Sequence, residues 1–156
     1  MTGLHDLTLS HFTSRPGLAP HDVAQTKAGY KPAGLWVSVD GPDDWPAWCE
    51  REEFRDLTRQ HEHRVTLASD ARVLHLATVD DLRAFTRRFP DEYFGLLGFI
   101  DWAAVAAEYQ GIVIAPYQWL ARFELGFYYG WDCASGCIWD PAAIASVELI
   151  REAVPA

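Results

Sequence analysis

The sequence is poor in positive charge. Lys27 and Lys31 are its only lysines, and 13 Lys and Arg residues stand against 22 Asp and Glu residues, which gives a formal net charge of -9. Broad electrostatic binding of DNA or RNA needs a basic surface, so the composition argues against it and leaves room only for a local basic patch.

Cysteines and long apolar segments are also scarce. The three cysteines, Cys49, Cys133 and Cys137, form no Cys-x-x-Cys pair and predict reduced thiols rather than a disulfide framework. No stretch approaches the ~20 apolar residues that span a bilayer. The first 20 residues lack the apolar segment of a secretory signal. We therefore expect a cytoplasmic protein with no membrane contact.

Aromatic residues, in contrast, are abundant. The 156 residues include seven Trp, six Tyr and eight Phe, and 49% of the chain is hydrophobic. This length and composition predict a single domain over 1–156. Large aromatic rings fill cores, but they also form stacking walls for flat ligands.

Local patterns predict short helices among many strands. Alternation and short apolar runs favour strands at 8–13, 34–39, 64–68, 71–77, 112–115, 137–139 and 145–150, with a turn at 69–70 and a Pro- and Gly-rich loop over 14–32. Helices are expected from Asp43 or Asp44 to about residue 59, from the Thr78–Asp81 capping box to residue 90, and from Asp101 to residue 111. The aromatic segment 123–131 is expected to form a hairpin arm. This mixture predicts an α+β fold.

Four short motifs resemble those of one enzyme family, in the family's order. His11-Phe12-Thr13 resembles the His-x-Thr of the first strand of ADP-ribosyltransferases of the diphtheria-toxin and poly-ADP-ribose polymerase type. The segment 34–38, Gly-Leu-Trp-Val-Ser, is similar to that family's Gly-Ile-Tyr-Phe-Ala/Ser strand, and Trp48-Cys49 to its later Tyr-Cys. The segment 137–144, Cys-Ile-Trp-Asp-Pro-Ala-Ala-Ile, resembles the ending Val-Val-Phe-Asp-Pro-x-x-Ile. The resemblance implies a core of two packed, mostly antiparallel sheets with short flanking helices.

The resemblance also implies NAD⁺ as co-substrate and a set of residues to hold it. Trp36 and Trp48 would stack on the flat, cationic nicotinamide. His11 would bind a ribose hydroxyl, Ser38 would bind the nicotinamide amide, and Thr13 is a secondary candidate. Arg122 suits the phosphates because its planar fork binds oxygen atoms in pairs.

One expected group is missing. In the family a glutamate just before the last motif stabilises the cation that forms when nicotinamide leaves. Alignment on Asp140-Pro141 places Ser135 at that position. Asp132 is the nearest carboxylate, and Glu124 is a second candidate. Ser135 and Asp132 are therefore catalytic candidates together with His11.

Other patterns are weaker. His61-Glu62-His63 has no further ligand at zinc-finger spacing, so we predict no metal and interpret the segment as a solvated helix end. Cys133 and Cys137 are expected to be buried thiols, although a nucleophilic cysteine beside His75 or His11 stays open. The sequence contains neither of the Gly-rich phosphate-binding motifs, Gly-x-x-x-x-Gly-Lys and Gly-x-Gly-x-x-Gly.

The sequence therefore predicts an NAD⁺-dependent mono-ADP-ribosyltransferase that acts on a macromolecular acceptor, protein or nucleic acid. One alternative is a binding module with the same cleft and no catalysis, which the missing glutamate favours. A second alternative is an enzyme similar to RNA 2′-phosphotransferases, which also consume NAD⁺.

Overall fold

Seven strands and three α-helices carry the fold within residues 2–26 and 30–155, which the computed structural model describes. The strands are β1 (Leu9–Thr13), β2 (Leu35–Val39), β3 (His61–Leu67), β4 (Val73–Leu76), β5 (Gly111–Ile114), β6 (Ser135–Ile138) and β7 (Ile144–Arg151). The helices are α1 (Trp45–Arg51), α2 (Val79–Arg88) and α3 (Trp102–Ala106). The protein is therefore α+β, as the sequence predicted. Residues 27–29 of the predicted 14–32 loop lie outside the described residues.

The strands form one mixed sheet in the order β4–β5–β6–β2–β1–β3–β7. Only β4 and β5 run parallel, and every other neighbouring pair is antiparallel. The resemblance implies two packed sheets, but hydrogen bonds connect all seven strands into one sheet. The predicted strands 64–68 and 71–77 are not neighbours either, because β3 pairs with β1 and β7 while β4 lies at the opposite edge.

The predicted caps fix the starts of the helices. The Asp44 carboxylate accepts from the amide of Ala47 at 2.9 Å and begins α1. Thr78 and Asp81 form the capping box of α2, and the Asp101 carboxylate accepts from the amide of Ala104 at the start of α3. In each case a side-chain oxygen satisfies an amide that has no partner within the helix.

The ends of two helices and one predicted hairpin are corrected. α1 ends at Arg51 rather than near residue 59, and the chain then makes a separate 3₁₀ turn at Leu57–Arg59. α3 ends at Ala106. The segment 123–131 is not a hairpin arm, because Gly126–Gly130 forms a 3₁₀ helix. Its aromatic residues pack inward or lie exposed instead of alternating along a strand.

An aromatic core lies against the sheet. Phe85 of α2 contacts Trp102 and Phe127 with ring centroids 5.8 and 5.5 Å apart, and Trp102 also contacts Trp139. All four side chains are buried; we call them the core cluster. Among the helices of 2–26 and 30–155, none has the length and hydropathy needed to cross a bilayer.

Candidate functional site

A cavity lies where β1 and β2 separate. The two strands pair over only two positions, ending at Ser10 and Ser38. Beyond that point β1 continues along β3 as far as Thr13, and β2 continues along β6 as far as Leu35. The gap between them leads into a cavity of about 330 Å³, which falls within the size range of small-molecule sites.

The His11 side chain bonds to the backbone of β2 beyond the point where the two strands separate. Its Nδ1 lies 2.5 Å from the carbonyl oxygen of Trp36, where a strand ladder would otherwise continue. A carbonyl can only accept, so Nδ1 carries the proton. Burial, with a smaller effect from nearby His63, lowers the pKa of His11, against a raising effect of the bond to Trp36. The imidazole is therefore neutral near pH 7, and its Nε2 is an acceptor.

Aromatic rings form much of the cavity wall. The rings are those of Phe12, Trp36, Trp45 and Trp131. Trp36 packs edge-to-face on Trp131, with centroids 4.9 Å apart and an interplanar angle of 68°. We call Phe12, Trp36 and Trp45 the cavity cluster.

Trp48 does not line the cavity. It stacks on Trp45 with centroids 5.1 Å apart and planes only 9° from parallel. Positions i and i+3 share a face of α1, so the two indole rings can stack on each other. Trp45 contacts the cavity, and Trp48 supports it from the adjacent turn. The indoles that line the cavity are therefore Trp36, Trp45 and Trp131, whereas the sequence motif indicated Trp36 and Trp48.

Three buried serines form a row across the cavity floor. Ser10, Ser38 and Ser135 occupy paired positions on β1, β2 and β6, so their side chains share one face of the sheet. Ser38 Oγ accepts from the amide of Trp45 at 2.9 Å, which ties the start of α1 to β2. Ser135 Oγ donates to the carbonyl oxygen of Cys133. Ser135, the residue at the expected glutamate position, thus lines the cavity without adding charge.

The charges at the cavity differ from those expected. Asp132 lines it and pairs with Arg122, with 3.3 Å between Arg122 Nη2 and Asp132 Oδ1. Arg122 itself is not part of the lining. The cations that line the cavity are Lys31 and Arg55, and Lys31 Nζ lies 5.3 Å from the ring centroid of Trp36.

The other sequence candidates lie elsewhere. Thr13 is outside the lining and accepts from the amide of Arg15. Glu124 forms a two-point ion pair with Arg83, with both N–O distances 2.7 Å, and does not contact the cavity. Asp132 is thus the only carboxylate among the described lining residues.

The cysteines are free and buried. Desolvation raises the pKa of Cys133, which lines the cavity, to about 12. Burial likewise raises the pKa of Cys49 and Cys137. Protonated thiols are poor nucleophiles, so this environment works against a catalytic cysteine.

The segment His61-Glu62-His63 begins β3 and is not a helix end. His63 is buried with Nε2 2.9 Å from the carbonyl oxygen of Pro16, and His61 Nδ1 accepts from the amide of Ala153. No group of three or more potential metal ligands comes together in 2–26 and 30–155.

Several cavity residues were not predicted from the sequence. Phe12 shares the face of Ser10 by strand alternation, and Trp45 precedes Trp48 by three residues, so both carried a local signal. Lys31, Arg55 and Trp131 lie in irregular segments, where spacing does not indicate direction.

No family model, curated protein or solved structure matches this chain. A functional conclusion therefore depends on the cavity itself and on the motifs that meet there.

Proposed function

We propose that the chain binds NAD⁺ in the cavity between β1 and β2 and transfers its ADP-ribose to a macromolecular acceptor. One observation carries this proposal. His11, Trp36 and Ser38, which the sequence motifs assigned to ribose and nicotinamide, line a single cavity at the point where their strands separate. Asp132 and Ser135, from the segment before the last motif, line the same cavity.

Trp36 and Trp45 would hold the nicotinamide ring. A flat cation on an indole gains ~0.5–2 kcal/mol from cation–π attraction, in addition to the burial of the ring. Ser38 Oγ already accepts from the amide of Trp45, so its own proton is available for the carboxamide oxygen.

His11 would orient the ribose. Its Nδ1 proton is committed to the Trp36 carbonyl oxygen, so the neutral ring presents Nε2 as an acceptor for a ribose hydroxyl. This tautomer needs no rearrangement when the ligand binds.

Lys31 and Arg55, rather than Arg122, would meet the diphosphate. The Lys31 ammonium lies over the Trp36 ring and would repel a pyridinium on that face. The diphosphate offers this ammonium a stronger partner. Binding of NAD⁺ would therefore move Lys31 from the ring to the phosphates.

Transfer would break the bond between C1′ of the ribose and the nicotinamide nitrogen. The bonding electron pair would leave with nicotinamide, C1′ would become cationic, and an acceptor nucleophile would bond to C1′ and release its proton to solvent. The Asp132 carboxylate would stabilise the cation. Its ion pair with Arg122 holds the carboxylate in place but offsets part of its charge.

That ion pair favours a second candidate, a module that binds NAD⁺ or ADP-ribose without catalysis. A neutral Ser135 at the glutamate position and a partly neutralised Asp132 supply less charge than cleavage ordinarily uses. Lys31 and Arg55 would also suit the phosphate of an RNA 2′-phosphotransferase substrate, but the net charge of -9 opposes RNA binding.

Two measurements test the proposal. Titration with NAD⁺ should quench tryptophan fluorescence, and incubation should release free nicotinamide. Trp36→Ala should weaken binding by about tenfold. Binding without nicotinamide release would leave the non-catalytic module, and release that depends on a 2′-phosphorylated RNA would indicate the phosphotransferase. If the wild-type protein does not bind NAD⁺ at all, the proposal is wrong.

A further inference from the structure

A second cavity adjoins the cavity between β1 and β2. Its volume is about 700 Å³, which falls within the size range of small-molecule sites. Phe12 of β1 and Arg55, which follows α1, line both cavities. A molecule bound in the second cavity would therefore lie next to a ligand bound in the first.

The second cavity lies between the sheet and α1. On the sheet side, Phe12 of β1 is paired with Glu62 of β3, and Glu62 is paired with Arg151 of β7. Paired residues of neighbouring strands share one face of the sheet, so these three side chains form a row along the cavity. On the helix side, residues three and four positions apart share one face of α1. The α1 residues in the lining are Pro46, Cys49 and Glu50.

The segment after α1, residues 53–58, completes the lining and is held in place by hydrogen bonds. The amide of Phe54 donates to the carbonyl oxygen of Cys49 at 3.0 Å, which ties the segment to the end of α1. Arg151 Nη2 donates to the carbonyl oxygen of Leu57 at 3.1 Å, which ties the segment to β7. A cavity whose walls are already ordered loses less entropy when it binds a ligand.

The lining of the second cavity combines apolar side chains with carboxylates. Phe12, Cys49 and Leu57 are buried or half-buried, and Phe54 is 54% exposed. Such a lining suits an amphipathic side chain, whose apolar stem packs on apolar groups while its charged end meets the carboxylates. The lining carboxylates are those of Glu50, Glu53, Asp56 and Glu62.

Two of these carboxylates are paired within the protein. Glu62 Oε1 lies 3.6 Å from Nε of Arg151, which also lines the cavity. Asp56 Oδ2 lies 3.8 Å from Nε of Arg59 and also accepts from Thr58. These two acidic groups therefore add little net charge to the cavity.

The other two carboxylates, those of Glu50 and Glu53, form no ion pair within residues 2–26 and 30–155. Over the same residues, Arg55 is the lining cation that has no carboxylate partner, and its guanidinium lies 5.3 Å from the ring centroid of Phe54. The unpaired groups of the lining thus have two negative charges and one positive charge. In the proposed NAD⁺ complex Arg55 turns to the diphosphate, which leaves the cavity more negative still.

This balance of charge favours a cationic occupant. Glu50 and Glu53 would repel a phosphate, which disfavours both a nucleic acid and the adenosine half of NAD⁺ in this cavity. A guanidinium or ammonium group would bind the two carboxylates by charge-assisted hydrogen bonds. Its aliphatic stem would pack on the apolar part of the lining.

We propose that the second cavity binds a basic side chain, Lys or Arg, of the protein that accepts ADP-ribose. Its role as the acceptor site rests on the proposed function, whereas its affinity for a cation depends only on its own lining. The shared wall of Phe12 and Arg55 places the bound side chain next to the ligand of the first cavity. The acceptor is then a protein rather than a nucleic acid.

The test measures binding of a blocked Gly-Arg-Gly peptide to the full chain by NMR titration of its backbone amides. The double variant carries Glu50→Gln and Glu53→Gln. The matched control carries Glu92→Gln and Glu148→Gln, which change two exposed carboxylates that line neither cavity. Both variants change the net charge equally, so general attraction of the peptide is the same in both. A third variant, Arg55→Gln, removes the unpaired cation, and thermal unfolding verifies that each variant is folded.

We expect the wild type and the control to bind the peptide alike, and the double variant to bind it about tenfold more weakly. Arg55→Gln should bind it a few fold more tightly, because a like charge is removed. A peptide with citrulline in place of arginine keeps the shape and loses the charge, so it should bind poorly.

Equal binding by the wild type and the double variant, or of the two peptides, would overturn the proposal. So would weaker binding by Arg55→Gln. Displacement of the peptide by AMP would identify the adenosine half of NAD⁺ as the occupant and would also overturn it. If the peptide binds as expected but no nicotinamide is released from NAD⁺, the proposed transfer is wrong and the cavity still binds a basic side chain.

Discussion

Aromatic side chains have opposite surroundings in the core cluster and the cavity cluster, although Trp131 contacts both. In the core cluster, Trp102 is 1% exposed and its ring faces other rings. In the cavity cluster, Trp36 is only partly buried and one side of its ring meets open volume and the Lys31 ammonium. Trp131 joins the two, with centroids 6.3 Å from Phe127 and 4.9 Å from Trp36. The same residue types thus stabilise the fold in one region and line an open cavity in the other.

Removal of a ring from the core cluster should have the largest effect on stability. Trp102→Ala should lower the free energy of unfolding by about 3–5 kcal/mol, because a fully buried indole leaves a cavity that its neighbours cannot fill. Trp36→Ala should cost less stability, since its ring is already partly exposed. Denaturant unfolding of both variants measures the difference. Equal losses would show that the two clusters do not differ as described.

Within α1, replacement of each of the two stacked indoles should weaken NAD⁺ binding to a different extent. Trp45→Ala should weaken NAD⁺ binding by about tenfold, because it removes a ring from the cavity wall. Trp48→Ala should weaken it less, because Trp48 acts only through its stacking on Trp45. Isothermal titration of both variants decides between them, and a larger loss for Trp48→Ala would restore the original motif assignment.

Trp45 and Trp48 also show which features of the site can be predicted from the sequence. The motifs located β1, β2 and the strand before Asp140-Pro141, and these strands are adjacent in the sheet. They could not distinguish Trp45 from Trp48, because residues three apart share a helix face and only the packing decides which one meets the cavity. The caps at Thr78 and Asp101 were predicted because capping depends on a few neighbouring residues.

The errors arose where tertiary contacts overrule local pattern. Segment 123–131 has the aromatic composition of a strand, but Gly126 lies close to Leu97 and Phe99, and Gly126–Gly130 forms a 3₁₀ helix. His61-Glu62-His63 is polar enough for a helix end, yet it forms β3 because β1 and β7 pair with it on both sides. Lys31 and Arg55 reach the cavity from irregular segments that carry no periodic signal.

Protonation of His11 should have a smaller effect on the free energy of unfolding, and only in mildly acidic solution. Burial lowers its pKa below the ordinary 6.5, so the unfolded chain binds a proton more readily than the folded protein. The stability from the neutral ring is fully present above about pH 6.5 and is lost as the pH falls through the folded pKa. His11→Gln should remove this part of the slope in a plot of unfolding free energy against pH. Parallel curves for the wild type and His11→Gln would contradict the partly buried, neutral ring.

Replacement of Lys31 should have opposite effects on the binding of the two halves of NAD⁺. Lys31→Met should improve binding of the nicotinamide riboside cation by a few fold, since the ammonium no longer competes for the Trp36 ring. The same variant should weaken ADP-ribose by a few fold, because a phosphate partner is lost. Competition titrations with both ligands measure the two changes. Changes of the same sign would mean that Lys31 does not move between ring and phosphates.

The smallest expected effect is on the alkylation rates of two buried thiols, one away from the cavity and one in its lining. Cys137 on β6 is fully buried, whereas Cys133 lines the cavity, and desolvation raises the pKa of both thiols. Both should therefore react slowly with iodoacetamide in the folded protein, but Cys133 should react first as the pH rises, because reagent can enter the cavity. NAD⁺ should slow the labelling of Cys133 and leave Cys137 unchanged, which peptide mass spectrometry can follow at each site. If NAD⁺ binds and Cys133 is labelled at an unchanged rate, the ligand lies outside the gap between β1 and β2.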